Sequence, residues 1–161
     1  MLTIQEMQDL KVQNPYLYPI EPGENPTVLG AKNIRTLLKL HFPGVKFSVR
    51  SRAFAGGTSI DVRWEDGPTS AQVETIMDQF KTRDFDGQTD SLSYRHSKFT
   101  ELFGGASFVM GHRDRGDGVN QIVKNLGFKD FESCALDEQE LILDTWSNTD
   151  FSQKNASLNL F

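Results

Sequence analysis

The pattern of apolar and polar positions divides the chain into periodic segments separated by turn-rich ones. Residues 28–42 (VLGAKNIRTLLKLHF) have helical spacing. Ile34, Leu37, Leu38, His41 and Phe42 fall on one face, and Lys32, Arg35 and Lys39 on the opposite one. Pro43-Gly44 is expected to end this helix. The period then changes to two. In residues 45–52 (VKFSVRSR) Val45, Phe47 and Val49 alternate with Lys46, Ser48, Arg50 and Arg52; residues 58–65 (TSIDVRWE) repeat the pattern with Ile60, Val62 and Trp64 inward. The intervening AFAGG reads as a hairpin connection, with Gly56 and Gly57 supplying positive φ. The outer face of this hairpin is expected to show Lys46, Arg50, Arg52 and Arg63 beside Asp61 and Glu65.

The rest of the chain is less regular. Residues 1–13 predict a short helix. Prolines 15, 19, 22 and 26 argue against helix or central strand over 14–27, so this segment reads as an extended arm that packs along the domain or binds a partner. After the turn EDGP, Thr69-Ser-Ala-Gln72 has capping-box spacing, and Val73, Ile76, Met77 and Phe80 predict a helix from Thr69 to near Arg83. DFDGQTD reads as a polar turn and SLSYR as a short strand. Residues 105–112 predict another strand, with Ala106, Phe108 and Met110 on one face. A charged loop over 113–118, a helix over 119–126 and a late helix from an Asp137 cap to Trp146 follow, the last with Leu141, Ile142 and Trp146 as its stripe. The tail after Asn148 is polar, with Leu158, Leu160 and Phe161 available to dock. These elements predict a single α+β domain: an arm over 1–27, a helix–hairpin–helix–strand core over 28–113 and a helical extension over 114–161.

Composition and charge refine this picture. At 161 residues with 12 Phe, the chain has room for one Phe-rich core. No apolar run reaches membrane length and the first residues do not resemble a signal peptide, so a soluble, cytoplasmic protein is expected. The single cysteine, Cys134, excludes an internal disulfide and a multi-cysteine zinc site. The net charge of -5 is unevenly spread. Between residues 31 and 64, Lys32, Arg35, Lys39, Lys46, Arg50, Arg52 and Arg63 face only Asp61; residues 130–150 hold seven acids and no Lys or Arg.

Candidate chemistry is sparse. The chain has no Walker A loop, no GxSxG, no HExxH and no CxxC. His41 on the apolar helix face reads as a part-buried histidine. His96, His112 and Asp114 are a possible metal or acid–base group. Asp84, Asp86 and Asp90 around Gly87 have short calcium-loop spacing, but without the EF-hand pattern and its terminal Glu they read better as a turn stabilised by Asp side chains. The loop Arg113-Asp-Arg115-Gly-Asp117-Gly offers arginines and glycine amides to a phosphate, or is merely solvated. Neither a cofactor nor a metal is expected.

Residues 42–90 carry a longer signal. FPGVKFSVRSRAFAGGTSIDVRWEDGPT, QVETIMDQF and DFDGQTD together resemble the large polyvalent protein-associated domain 29 family, over about residues 28–112. The resemblance implies a protein of a phage, prophage or plasmid, with a role in establishing that element in a host, including resistance to host defence. It brings no catalytic residues. The resulting expectation is a non-enzymatic binding protein that inhibits a host defence system by occupying a host protein or nucleoprotein complex. Partner contact is assigned to Lys46, Arg50, Arg52 and Arg63 and to the acidic Glu138, Glu140 and Asp144. The alternative is a nucleic-acid-binding module using Lys32, Arg35 and Lys39 with the four hairpin cations. Oligomeric state is not readable.

Overall fold

Capping groups set the helix starts in the computed structural model, which describes residues 1–88 and 91–152. Thr3 and Glu6 exchange side-chain-to-backbone hydrogen bonds and open α1 (Ile4–Gln13). Asn25 accepts from the backbone N–H groups of Thr27 and Val28 and opens α2 (Pro26–His41). The helix thus starts two residues before the expected point. Pro26 is compatible with it because the first helical position needs no N–H. His41 is exposed, not part-buried; the buried stripe is Leu29, Ala31, Asn33, Ile34 and Leu38.

The hairpin forms as the alternation predicts. β1 (Ser48–Phe54) and β2 (Gly57–Glu65) pair antiparallel around a two-residue turn, and φ is positive at Gly57 but not at Gly56. The Thr69–Gln72 capping box is present and opens α3 (Ser70–Asp78). This helix stops well before Arg83, which instead begins β3 (Arg83–Asp86), paired with β4 (Ser91–Tyr94). The expected polar turn therefore begins as strand, and Asp90 and residues 153–161, including Leu158, Leu160 and Phe161, lie outside the described residues. A short α4 (Lys98–Phe103) leads to β5 (Phe108–Asp114), which adds to β2 in parallel. The sheet order is β1-β2-β5, and the parallel join requires the crossover that α3, the second hairpin and α4 provide.

One face of this sheet is buried. Val49, Ile60, Val62, Trp64 and Val109 pack with Ile34 and Leu38 of α2, Val73, Ile76 and Met77 of α3, Phe80, and Leu102 and Phe103 of α4. Full burial of each large side chain contributes about 1.5–3 kcal/mol, so this cluster dominates stability. The arm packs along it. Leu17 is buried, Ile20 N–H donates to Leu102 O, and the buried Asn33 amide bonds the Tyr18 backbone in both directions and donates to Phe103 O.

A second, smaller core lies between α5 (Asp117–Asn125) and α6 (Leu136–Asn148). Ile122, Val123, Cys134 and Ile142 form its centre. The N-cap of α6 is Ala135, not Asp137, and the Glu138 carboxylate accepts from the Ala135 N–H. Burial, then the carboxylates of Glu138, Asp130 and Glu132, push the Cys134 thiol up from its ordinary range. Near neutral pH an alkylating thiol reagent should therefore label the native protein far more slowly than the urea-unfolded chain. Equal rates, read by mass spectrometry, would show that this core is not closed.

Candidate functional site

Strand alternation puts a second set of side chains on the opposite face of the sheet. In register across β1, β2 and β5 these are Arg52, Ser59 and Phe108; then Arg50, Asp61 and Met110; then Ser48, Arg63 and His112; then Glu65 and Asp114. Phe54 extends the first strand beyond Arg52. Arg50, Arg52, Phe54, Arg63, Met110 and His112 are all exposed, so the described residues leave this face open.

The face has a basic half and an apolar half. Ser48, Arg50, Ser51, Arg52, Asp61 and Arg63 line a depression of about 660 Å³. Arg52, Phe54, Ser59, Phe108 and Met110 line a neighbouring one of about 420 Å³. Asp61 is the carboxylate set among the cations. It accepts from Arg52 at 3.2 Å and from the buried Ser59 hydroxyl at 3.4 Å, and its other oxygen lies 4.0 Å from His112 Nε2. Among the described residues neither Arg50 nor Arg63 has an ion-pair partner. An exposed pair such as Arg52–Asp61 contributes at most about 1 kcal/mol, so it leaves Arg52 available to a ligand.

The expected cations of α2 do not join this face. Lys32 sits 3.8 Å above the Tyr18 ring of the arm, and Arg35 donates to Val49 O at the sheet edge. Lys39 is exposed on α2, and Lys46 is exposed ahead of β1. Glu138, Glu140 and Asp144 lie on α6. Glu138 is used in starting that helix, while Glu140 and Asp144 are exposed. The histidines do not converge: His96 lines a separate depression with Met1, Thr82, Tyr94 and Arg95, while His112 opposes Arg63. Among the described residues no group of three or more His, Cys, Asp or Glu is arranged to hold a metal ion.

Phe54 and the β5 residues Phe108, Met110, His112 and Asp114 are members of the open face that the sequence reading did not place there. Phe54 fell in a segment read as turn, although the period of two from Arg50 through Arg52 continues to it. Its ring is 49% exposed and stacks on Phe108 with centroids 6.0 Å apart.

In the segment expected as a charged loop over 113–118, Arg113 and Asp114 instead end β5 and Arg113 turns inward, while Asp114, Arg115 and Asp117 are exposed, as expected of a solvated segment. Arg113 opposes Trp64 on the buried side of β5. Its guanidinium donates to five backbone carbonyls: Asp66 O at 2.6 Å, Gly67 O at 3.1 Å, Trp146 O at 3.1 Å, Ser147 O at 3.1 Å and Thr149 O at 2.7 Å. It also lies 4.4 Å from the Trp146 ring. The Asp66 carboxylate accepts from Gly116 N–H, Gly118 N–H and Trp146 Nε1 at 3.0, 2.8 and 2.8 Å. At the start of α5 the Gly116 and Gly118 amides are therefore taken by the Asp66 carboxylate, whose charge also disfavours an anion there. Phe151 N–H donates to Gly67 O, and Gln72 Nε2 to Asp150. The DGPT turn thus holds the end of α6 as well as starting α3.

The family described as large polyvalent protein associated domain 29 matches residues 26–129. The match takes in both hairpins, the whole open face, the DGPT turn, Arg113 and α5. No curated protein and no solved structure matches the chain. Among the described residues no helix is long and apolar enough to cross a membrane.

Proposed function

The chain belongs to the large polyvalent protein associated domain 29 family, which places it among domains associated with the polyvalent proteins of mobile elements, and from that premise we propose that it is a non-enzymatic binding protein working through the open face of its sheet. In this reading it favours entry of the element into a bacterial host by occupying a protein or nucleoprotein complex of the host's defence. The observation that carries it is the open face itself: among the described residues Arg50 and Arg63 have no ion-pair partner and Arg52 is weakly paired, on a sheet whose other face gives Val49, Ile60, Val62, Trp64 and Val109 to the core. A structural protein gains nothing from three adjacent guanidiniums on one surface, since like charges repel, whereas a binding protein uses them to meet phosphate or carboxylate.

Expression in a defence-positive bacterial host should raise the efficiency of plasmid or phage entry by at least an order of magnitude. The triple variant Arg50→Glu, Arg52→Glu, Arg63→Glu should lose this effect while keeping its native circular dichroism, with only a modest fall in thermal midpoint, because all three side chains are exposed but the new carboxylates face Asp61. Unchanged entry with the native chain across a panel of defence systems, or full activity of the triple variant, would overturn the reading.

A further inference from the structure

The open face distinguishes itself from a generic basic patch by the order of its side chains. Moving along the hairpin, Phe54, Arg52 and Arg50 follow one another on β1, and Arg63 on β2 lies one row further, opposite Ser48. Successive same-face positions on a strand are about 7 Å apart, so the three cations form a track and not a single cluster. Phe108 sits beside the Arg52 row and stacks on Phe54. The exposed Phe54 ring, stacked on the half-buried Phe108 and bordered by a line of guanidiniums, suits unpaired bases joined by phosphates. An acidic protein would use the cations and leave the exposed Phe54 ring without a matching partner. A duplex would present phosphates but keep its bases out of reach. Of the residues lining the apolar depression, the polar ones are Arg52 and Ser59; Ser59 is buried and its hydroxyl donates to Asp61, so this lining offers the rings no exposed side-chain acceptor for a ribose 2′-hydroxyl.

We propose that the open face binds single-stranded DNA, with bases stacked on Phe54 and Phe108 and phosphates held by Arg50, Arg52 and Arg63. This rests on the reading that the open face is the working surface, and adds the chemistry of its occupant.

The test is fluorescence anisotropy with the full chain and three labelled probes of about 12 nucleotides, within the range one such domain covers: oligo-dT, oligo-U and a DNA duplex. Oligo-dT should bind best, with affinity falling steeply with salt and the slope on a log–log plot reduced by roughly 0.7 for each of Arg50→Gln, Arg52→Gln and Arg63→Gln. Phe54→Ala should weaken binding by roughly 5- to 100-fold, as expected for loss of one stacked base. Phe108 is half-buried, so Phe54→Leu serves as the second aromatic variant. It keeps an apolar side chain, should fold as the native chain does, and should still bind weakly because it has no ring face. Absence of oligo-dT binding, indifference to the phenylalanine variants, or preference for oligo-U or duplex would overturn the proposal. If oligo-dT fails while the arginine triple variant still loses its effect on entry, the occupant is wrong and the working surface stands. If both fail, the surface is wrong as well.

Discussion

Replacing Gly104 by alanine should cost about 4 kcal/mol or more of folding stability and lower the thermal midpoint by roughly 10 °C or more. Gly104 has φ +78, and an added Cβ would lie 2.2 Å from Pro26 O and 2.7 Å from Gly30 N. Those atoms belong to the first turns of α2 and cannot retreat, since Pro26 O also accepts the Gly105 N–H. The backbone after α4 passes against α2 with no space for a side chain, and this close approach seats β5 beside β2. Gly127→Ala separates the two contributions to the cost. Gly127 also has positive φ, +82, but an added Cβ would meet nothing within 4 Å. It should cost only about 1 kcal/mol. Urea denaturation of the two variants measures the difference; equal costs would mean that the contact between α2 and residues 104–105 is not as close as described.

Arg113→Ala should cost about 3–5 kcal/mol, and the loss should fall on the C-terminal helices before the sheet. The substitution strips a charged donor from five carbonyls and removes the cation above Trp146. Bonds to a charged group are individually stronger than neutral ones, and the freed carbonyls lie in a partly buried junction. Arg113→Lys should recover little, because an ammonium has three donors and cannot span the acceptors of the DGPT turn and the end of α6 together. Hydrogen exchange should show α6 losing protection in Arg113→Ala while β1, β2 and β5 keep theirs. Retained protection in α6 would show that its packing on α5 holds it without the arginine.

These two expectations mark where the sequence was and was not informative. Local rules identified the Thr69–Gln72 cap, the β1–β2 alternation and α2, because each depends on residues a few positions apart. The α+β class followed from them, and the quoted strings between 42 and 90 led to the family whose match now spans 26–129. Arg113 was misread because its acceptors are backbone carbonyls at 66, 67, 146, 147 and 149, which carry no side-chain signature in sequence. The period of two did offer a clue: Val109, Gly111 and Arg113 continue one face of β5 beyond the point where a loop was expected. Phe108 and Met110 were assigned a common face, but only the register with Asp61 and Ser59 shows that it is the open one. The basic segment between 31 and 64 was read as one patch, and the fold divides it. Lys32 goes to the arm, Arg35 to the strand edge, and only the strand residues Arg50, Arg52 and Arg63 share the open face.

The central claim is that this open face, and not the acidic α6, is the contact surface. Affinity capture from a defence-positive bacterial lysate tests it with three baits: the native chain, the triple variant Arg50→Glu, Arg52→Glu, Arg63→Glu, and the double variant Glu140→Lys, Asp144→Lys. The account predicts that a specific partner, identified by mass spectrometry or nucleic-acid sequencing, is recovered by the native chain and the α6 variant and lost by the arginine variant. Recovery by the arginine variant with loss in the α6 variant would contradict it and move the working surface to the other end of the molecule.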